Sequence, residues 1–443
     1  MRSLPYLLAL VVCTSACERA GSHDVRPTPR PTPTKDPLEA VADEIAAKKL
    51  ADAETVGVTV GVAHRGKVVF VKGYGHADRE AGVQATADTV YPIHELTEQF
   101  TAAAVLRLVE MHELALADDI TQYVKIPTGG RTVTIEQLLR HSSGMPELSM
   151  EEQGPLTPMQ ILERVASNEW SDDNWGSDAE YLALGLAIEK VSGEPYAQFL
   201  EREVIARAHL THTAPCEATK GAVAQKYRMA LAGPPVVANP ADSSREFANG
   251  SLCSTIPDLL AWSSALSSGQ VVSASSYKMM TTTAGSVQGL GLVVNEKYEH
   301  RHVDGGTLGI ELSDYPDDGL TIVVAANTIS TGSSRIERAL AMAALGVPSK
   351  EVPLPPEVRD SLVGDYQFED GGHTTVARWH RNLSITVAAG APFELEYQGN
   401  DTFAAYDSPF TIVFHRDKGA VTGLTAYQPP EMGGETSAVR VSH

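Results

Sequence analysis

Strand-like segments at both ends of a long helical stretch constrain the fold of this chain most strongly. Two β-rich runs, VGVTVGVAH (56–64) and KVVFVKGYG (67–75), are joined by Arg65-Gly66, which is typical of a hairpin turn. Further strand-like runs return much later, at GLGLVVNE, GIELSDYP and TIVVAANT. Because strands of one domain tend to share a sheet, we expect the early hairpin and the late strands to pair.

The segment between those strands has the pattern of helices. Apolar residues recur at helical spacing over about Glu95 to Glu113, which predicts a long helix, and a helical section extends to about Leu210. Shorter helices are predicted at Leu38 to Leu50 and at Ser334 to Leu345. The fold class is therefore α+β: an antiparallel sheet flanked by helices, with an all-helical section.

From Pro353 onward the pattern changes to short alternating strands. Turn signals stand at Gly371-Gly372, Gly399-Asn400 and Lys418-Gly419. We expect a small C-terminal antiparallel β domain, a barrel or a sandwich, without a catalytic motif.

The N-terminus has the features of an export signal. Arg2 gives a positive start, Leu4 to Val12 form an apolar core, and small residues precede Cys17. This pattern predicts a bacterial lipoprotein signal with Cys17 as the lipidated residue; the alternative is an ordinary signal peptide cut nearby. The run RPTPRPTPTKDP favours an extended stalk. The predicted organisation is a signal at 1–17, a Pro/Thr-rich linker at 18–37, an α+β domain at 38–348 and a β domain at 349–443.

Charge excludes one class of partner. The formal net charge is −21 and no basic stripe offsets it, so a phosphate backbone would be repelled and no nucleic-acid partner is expected. Composition is that of an ordinary globular protein, and we expect no cofactor. Outside the signal only Cys216 and Cys253 remain. In an exported protein these cysteines either form a disulfide or stay as separate buried thiols.

Several motifs in order give this chain a family resemblance. They are GKVVFVKGYGHAD, DTVYPIHELTEQFTAAAVLRLVE, TIEQLLRHSSGMP, YLALGLAIEKVSGEPYAQFL, NGSLCSTIPDLLAW, and HVDGGTLG followed by TIVVAANT. With these motifs, residues 40 to 345 resemble the serine β-lactamase-related family of class C β-lactamases, D-alanyl-D-alanine peptidases and esterases. The tail from Pro353 resembles the β-rich extension of some esterase-like members.

The resemblance implies a specific catalytic machinery. A serine opens the long helix, a lysine follows in the pattern Ser-x-x-Lys, a Tyr-x-Asn loop supplies another base or acid, and a Lys- or His-x-Gly strand frames the oxyanion site. Here that alignment places Glu95 at the serine and Glu98 at the lysine. The loop positions are Gly176, Ser177 and Asp178, and the strand positions are Val303, Asp304 and Gly305. Of these six residues only Gly305 matches the family.

These replacements predict a degenerate site with no intact catalytic residue. Loss of the nucleophile alone typically lowers the rate about 10⁶-fold. Ser275-Ser276-Tyr277-Lys278 also spells Ser-x-x-Lys, but it stands where the family has a surface helix. Ser177 is another substitute nucleophile, with Asp178 and His302 nearby but no clearly placed base. A shift that makes His302 the strand histidine breaks the spacing to Gly305.

We expect Glu95, Glu98, Asp178 and Asp304 to face one pocket, with His94 and His302 at its edge. Three functions are compatible with such a pocket. The first is a non-hydrolytic binding or structural module, anchored to a membrane by its lipid, whose old cleft holds a peptide, a cell-wall fragment or an envelope protein. The second is a cation site, because His94 and Glu98 stand at i,i+4 and carboxylates suit divalent cations. Its candidate ligands are His94, Glu95, Glu98, Asp178 and Asp304. The third is a surviving or altered hydrolase of β-lactams, peptides or esters, which uses one of the substitute serines or a pair of carboxylates as general acid and base.

Overall fold

In the computed structural model the described residues are 35–147, 156–171, 177–219, 221–230, 234–238, 246–307, 309–330, 332–348, 352–368, 371–379, 382–387, 393–405, 410–427 and 434–441. Residues Asp36–His443 form one compact unit. The helices are α1 (Pro37–Ala51), α2 (Thr97–Glu110), α3 (Ile135–Leu139), α4 (Pro158–Ala166), α5 (Asp178–Ser192), α6 (Tyr196–Leu200), α7 (Ile256–Ser267), α8 (Ala274–Met280), α9 (Gly332–Leu345) and α10 (Pro356–Leu362).

A seven-stranded antiparallel sheet is the centre of the first domain. Its order is β3-β2-β1-β12-β11-β10-β9, so the early hairpin pairs with the late strands as predicted. The strands before the C-terminal domain are β1 (Gly57–His64), β2 (Lys67–Asp78), β3 (Val83–Gln84), β4 (Tyr91–Pro92), β5 (Ala214–Pro215), β6 (Tyr227–Arg228), β7 (Val236–Val237), β8 (Leu252–Ser254), β9 (Val293–Lys297), β10 (His300–Asp304), β11 (Ile310–Tyr315), β12 (Leu320–Ala326) and β13 (Thr328–Ile329). The α+β fold class is confirmed.

The hairpin turn follows from its two residues. Arg65 and Gly66 have φ values of 50° and 71°, the left-handed conformation that a two-residue turn between twisted strands requires. Glycine takes this conformation without a steric penalty, and Arg65 is anchored because its N–H donates to the Gly319 carbonyl at 2.6 Å. The turn therefore fixes the register of β1 against β2.

Alternation along the strands builds a separate core on each face of the sheet. Val58, Val60 and Val62 of β1 are fully buried against α1 and α9. The other face packs on α7, α2 and the all-helical section, where Phe100 stacks on Trp262 with ring centroids 3.8 Å apart. Because successive side chains of a strand point to opposite faces, only every second residue of a strand can reach the α2 side of the sheet.

The C-terminal domain is a closed antiparallel barrel, so of the two predicted alternatives the barrel is confirmed. Phe403, Phe414, Tyr366 and Leu395 fill its core. Its strands run in sequence order: β14 (Gly364–Phe368), β15 (His373–Trp379), β16 (Asn382–Val387), β17 (Phe393–Gly399), β18 (Thr402–Ala405), β19 (Thr411–Asp417), β20 (Ala420–Tyr427) and β21 (Glu435–Arg440).

Ion pairs join the barrel to α9. The Arg335 Nη2 atom lies 2.6 Å from Glu394 Oε2, and Arg338 pairs with Glu396 in the same way. Arg335 and Glu394 are both buried, so the contact is part of the packed interface. Residues 349–351, beside the predicted domain boundary at 348/349, lie outside the described ranges, and that boundary stays a prediction.

Two further predictions concern the ends of the chain and its cysteines. Cys216 and Cys253 are bonded to each other, closing a loop across 37 positions of sequence. Residues 1–34, which hold the predicted signal, Cys17 and most of the linker, lie outside the described residues. Among the residues that are described, no helix has the length and apolar character needed to cross a membrane.

Candidate functional site

The start of α2 differs from the prediction. The helix was expected from about Glu95, but it begins at Thr97, and Glu95 lies in a 3₁₀ turn over His94–Leu96. This turn is tight because His94 has a φ of 44°, and the Ile93 N–H bonds the Leu252 carbonyl at 2.9 Å just before it. Glu95 is consequently exposed, and we call the region between this turn and the start of α5, where Glu95, Glu98 and Asp178 act on one another's charges, the cleft.

Glu98 lies one turn deeper and is only 8% exposed. Its Oε2 atom is 3.0 Å from Nε2 of His141, and the other ring nitrogen of His141 is 2.8 Å from Oε2 of Glu180. The second oxygen of Glu180 accepts from the Ser143 N–H at 3.1 Å and from the Ser143 hydroxyl at 2.5 Å. We call Glu98, His141 and Glu180 the floor network.

His141 is the cation of this network. Burial alone would lower its pKa, but hydrogen bonds and charges from Glu180 and Glu98 raise the pKa to about 10. Both ring N–H groups then donate, one to each carboxylate. The resemblance places a lysine at position 98; here a carboxylate stands there and the positive charge is on His141.

Burial raises the pKa of Glu98 to about 7, although the hydrogen bond and charge of His141 lower it. The charges of Asp178 and Glu95 act in the same direction as burial, so the three carboxylates influence one another in one cleft. Pairs of raised carboxyl pKa values are a common feature of functional clefts.

Glu95 and Asp178 form what we call the rim of the cleft. Asp178 is the first residue of α5 and is exposed. Desolvation by the cleft walls and the charge of Glu95 raise its pKa to about 6, while a hydrogen bond from Asn249 lowers it. Gly176, the position of the tyrosine in the resemblance, lies outside the described residues.

Ser177 is poorly suited to be a substitute nucleophile. It is 1% exposed, and its hydroxyl donates to the Pro146 carbonyl at 2.8 Å. The other candidate, Ser275 of the Ser-x-x-Lys run, is exposed on α8, and its hydroxyl lies 2.8 Å from that of Ser273. Ser177 therefore has a local structural role, and Ser275 lies on a surface helix, as the resemblance implies.

The β10 strand contributes less to the cleft than predicted. Val303 packs into the core on the α2 side, so its neighbours His302 and Asp304 point to the opposite, α9 side. There His302 bonds Asn295 at 2.9 Å and stacks on Tyr315, and Asp304 accepts from the Gly306 N–H at 2.6 Å. The prediction that His302 and Asp304 border the pocket with Glu95 and Glu98 is wrong.

Gly305 follows β10 and touches α2 directly. A Cβ atom at this position would lie 2.0 Å from Nε2 of Gln99 and 2.6 Å from Cδ1 of Leu96. The strand backbone can approach the start of α2 so closely only because position 305 carries no side chain. Packing thus explains why this glycine matches the family while its neighbours do not.

The predicted cation site is not assembled. Nδ1 of His94 lies 3.4 Å from Oε1 of Glu246, and its Nε2 lies 3.4 Å from the Lys226 amine, so His94 does not share a ligand position with Glu98. Within the described part of the chain, no three His, Cys, Asp or Glu side chains are grouped to hold a metal ion.

His141 and Glu180 are the residues that sequence reasoning missed. His141 stands in a segment that carried the resemblance, LLRHSSGMP, and Glu180 directly precedes another, YLALG. A signal was present, because a carboxylate at a buried helix position needs a cation or a proton donor. The partner lies 43 positions away, and only the folded chain brings it to Glu98.

Comparisons with known proteins agree with this architecture. The sequence model of the β-lactamase family matches residues 42–346. "Putative penicillin-binding protein PbpX" of Bacillus subtilis is 27% identical over 284 residues, covering 62% of this chain and 71% of PbpX. Protein flp of Staphylococcus aureus is 30% identical over 184 residues, 39% of this chain and only 37% of flp.

Solved structures share the fold. An octameric penicillin-binding protein homologue from Pyrococcus abyssi has a TM-score of 0.67 at 22% identity, covering 91% of this chain and 100% of that one. EstCE1, a hydrolase with promiscuous acyltransferase activity, has a TM-score of 0.60 at 20% identity over 69% of this chain and 98% of its own.

Proposed function

The chain belongs to the β-lactamase family, and from the state of its cleft we propose that it is a non-hydrolytic binding module. One observation carries the proposal. Where the family's chemistry requires a nucleophile and a lysine, Glu95 is an exposed carboxylate and Glu98 is a buried carboxylate bonded to His141 at 3.0 Å. A carboxylate at the serine position would also repel the oxyanion that forms during acyl transfer.

The charge of the cleft indicates what it binds. Glu95 and Asp178 stand at the rim, and Glu147 also raises the pKa of Asp178. A bound positive group would relieve this repulsion and would lower that pKa. The ligand that fits is therefore a peptide, a cell-wall fragment or an envelope protein that presents an amino group.

The location we propose is the cell envelope. The residues before Cys17 support a lipoprotein signal, and the Pro/Thr-rich run after it supports a stalk between the lipid and the folded part. A binding module held near a membrane in this way would meet cell-wall fragments and envelope proteins directly.

The first experiment is intact-mass spectrometry of the mature protein after exposure to a penicillin and to a fluorophosphonate. We expect an unmodified mass with both reagents, because the serine of the family is replaced. A stoichiometric adduct on any serine would overturn the proposal. A class C β-lactamase treated in parallel shows that the reagents are active.

The binding part is tested with soluble peptidoglycan fragments. We expect calorimetry to detect binding of fragments with free amino groups and to lose it after their N-acetylation. The Glu95→Gln variant should bind more weakly, whereas Glu113→Gln, which removes an exposed carboxylate just beyond the other end of α2, should bind as the wild type does. Equal binding of acetylated fragments would contradict the assignment of an amine ligand.

A second function has a specific observation in its favour. A carboxyl group whose pKa is about 7, such as Glu98, is suited to act as a general base on water. Hydrolysis of an activated ester such as p-nitrophenyl butyrate, without a covalent adduct and abolished in Glu98→Gln, would establish this alternative. Absence of turnover would leave binding as the function.

A further inference from the structure

A second cavity lies at the opposite end of the sheet from the turn that precedes α2. It measures about 500 Å³ and runs along α7 between the β1–β2 turn and the start of β12. This volume is in the range of small-molecule sites. None of the residues 94–98, 177–178 or 303–305 lines it, so it is distinct from the cleft described above.

Asp314 stands at the wall of this cavity with one oxygen uncommitted. Its Oδ1 atom accepts from the Ser263 hydroxyl at 2.7 Å and from the Thr321 hydroxyl at 2.6 Å. Its Oδ2 atom has no hydrogen-bond partner among the described residues. Burial raises the pKa of Asp314, so this carboxylate is poorly compensated where it stands.

Tyr277 provides a second uncommitted polar group in the same cavity. Its hydroxyl has no partner within the described part of the chain, and the charge of Asp314 helps to raise its pKa to about 12 after burial. Asp314 and Tyr277 are thus close enough to interact, yet they are not bonded to each other. A ligand group between them would have one strong acceptor and one weaker acceptor available.

Apart from Arg65 and the exposed His209, the rest of the wall is apolar or weakly polar. Leu260, Ala261 and Ala265 of α7 line it together with Val68, which is 57% exposed. The cavity also reaches the C-terminal end of α7, where the helix dipole favours positive charge. Arg65 lies at the edge of this second cavity with its side chain in solvent, where salt screens its charge.

We propose that this cavity binds a small organic ammonium ion, whose N–H groups bond Asp314 Oδ2 and the Tyr277 hydroxyl and whose apolar part packs on α7. An ammonium group has several donors and no acceptor, which matches two acceptors at one end of the cavity. A metal ion fits poorly, since only one carboxylate is available and divalent cations require several oxygen ligands.

The test is calorimetry at neutral pH with benzylammonium, and with benzyl alcohol as its neutral match. We expect saturable binding of benzylammonium and binding of the alcohol that is about tenfold weaker or more, because a charge-assisted hydrogen bond is lost. Asp314→Asn should weaken benzylammonium binding by a similar factor of about ten. The asparagine keeps one oxygen for Ser263 and Thr321, so the fold is preserved.

Asp317→Asn is the matched control. It removes the same charge three positions further along the chain, at an exposed residue that does not line the cavity. It should leave the affinity unchanged, and Tyr277→Phe should lower it severalfold. Any of three results would overturn the proposal. These are an affinity for benzyl alcohol equal to that for benzylammonium, an equal loss of benzylammonium affinity in Asp314→Asn and Asp317→Asn, and binding heats that never saturate. The alcohol and Tyr277→Phe comparisons decide the matter if Asp314→Asn does not fold.

Discussion

The floor network and the rim of the cleft both have carboxylates at positions where the family resemblance places other residues, but the surroundings of these carboxylates differ. At the floor, Glu98 is buried and hydrogen-bonded to His141, which is bonded in turn to Glu180. At the rim, Glu95 and Asp178 are exposed, and the charge of Glu95 raises the pKa of Asp178. The floor network is satisfied within the protein, whereas the rim is left for solvent or a ligand.

This difference separates stability from binding. A carboxylate can replace a buried lysine only if the surroundings supply a new cation, and His141 supplies it at Glu98. No such requirement holds at the rim, where Glu95 and Asp178 are exposed, although partial desolvation still raises the pKa of Asp178. The floor should therefore govern stability, and the rim should govern what the cleft attracts.

The largest effect is expected for His141→Ala. Removing the imidazolium leaves Glu98 and Glu180 buried without their shared cation, and breaking a buried ion pair in this way typically costs about 3–5 kcal/mol. Urea unfolding should show this as a lower midpoint at pH 7, with an unchanged slope if unfolding remains two-state.

His209→Ala is the appropriate control for that variant. Like His141, His209 has a positive φ, 56° against 51°, so both changes have a similar backbone effect. His209 is exposed, and within the described residues its ring is not bonded to a carboxylate. If the two variants lose equal stability, the floor network adds nothing and the distinction between floor and rim fails.

The pH dependence of stability tests the same network. The folded protein keeps the His141 proton up to about pH 10, whereas the ordinary histidine pKa is 6.5. Its stabilisation is complete below pH 6.5 and is lost as the pH rises through about 10. Glu98, whose pKa is raised from 4.5 to about 7, also makes stability fall as the pH rises between those values.

We expect Glu98→Gln to remove the lower of these two windows, a difference of at most about 3 kcal/mol. It should also shift the His141 window to lower pH, because one carboxylate no longer holds the proton. Urea titrations at pH 5, 7 and 9 compare the wild type with the variant. Parallel pH profiles would mean that Glu98 and His141 are not coupled.

Much of the fold could be predicted from the sequence, since strand and helix periods are local. The hairpin at Arg65-Gly66 and its pairing with the late strands follow from turn chemistry and alternation. Glu95 and Glu98 were placed at the start of α2 by position in the motif. His302 and Asp304 could not be assigned to a face from the sequence, because both faces of the sheet pack against apolar cores and Val303 between them fits either one.

His141 could not be paired from the sequence alone. Its partners Glu98 and Glu180 lie 43 and 39 positions away, and nothing local selects them over other carboxylates. The sequence motifs indicated an excess of negative charge in the cleft, but they did not indicate which of the carboxylates would be paired with a cation. Tertiary packing places Glu98 against His141 and leaves Glu95 exposed to solvent.

A smaller effect is expected for Gly305→Ala at the cleft wall. The new methyl group would meet the Gln99 side chain, and overpacking of this kind costs about 1–3 kcal/mol. Gly250→Ala is the matched control, because its φ lies outside the left-handed region and a Cβ there would make only ordinary van der Waals contacts, the nearest at 3.4 Å. A thermal melt that shows no greater loss for Gly305→Ala would mean that packing does not explain this glycine.

The smallest effect on stability, within about 0.5 kcal/mol, is expected for Glu95→Gln at the rim. The change should still be visible in the cleft, because Glu95 is one of the charges that raise the pKa of Asp178 to about 6. An NMR titration of the Asp178 carboxyl should give a lower pKa in the variant, while Asp317→Asn should leave it unchanged. If Glu95→Gln instead destabilises the protein as much as His141→Ala, Glu95 has a structural role and the rim is not a free binding surface.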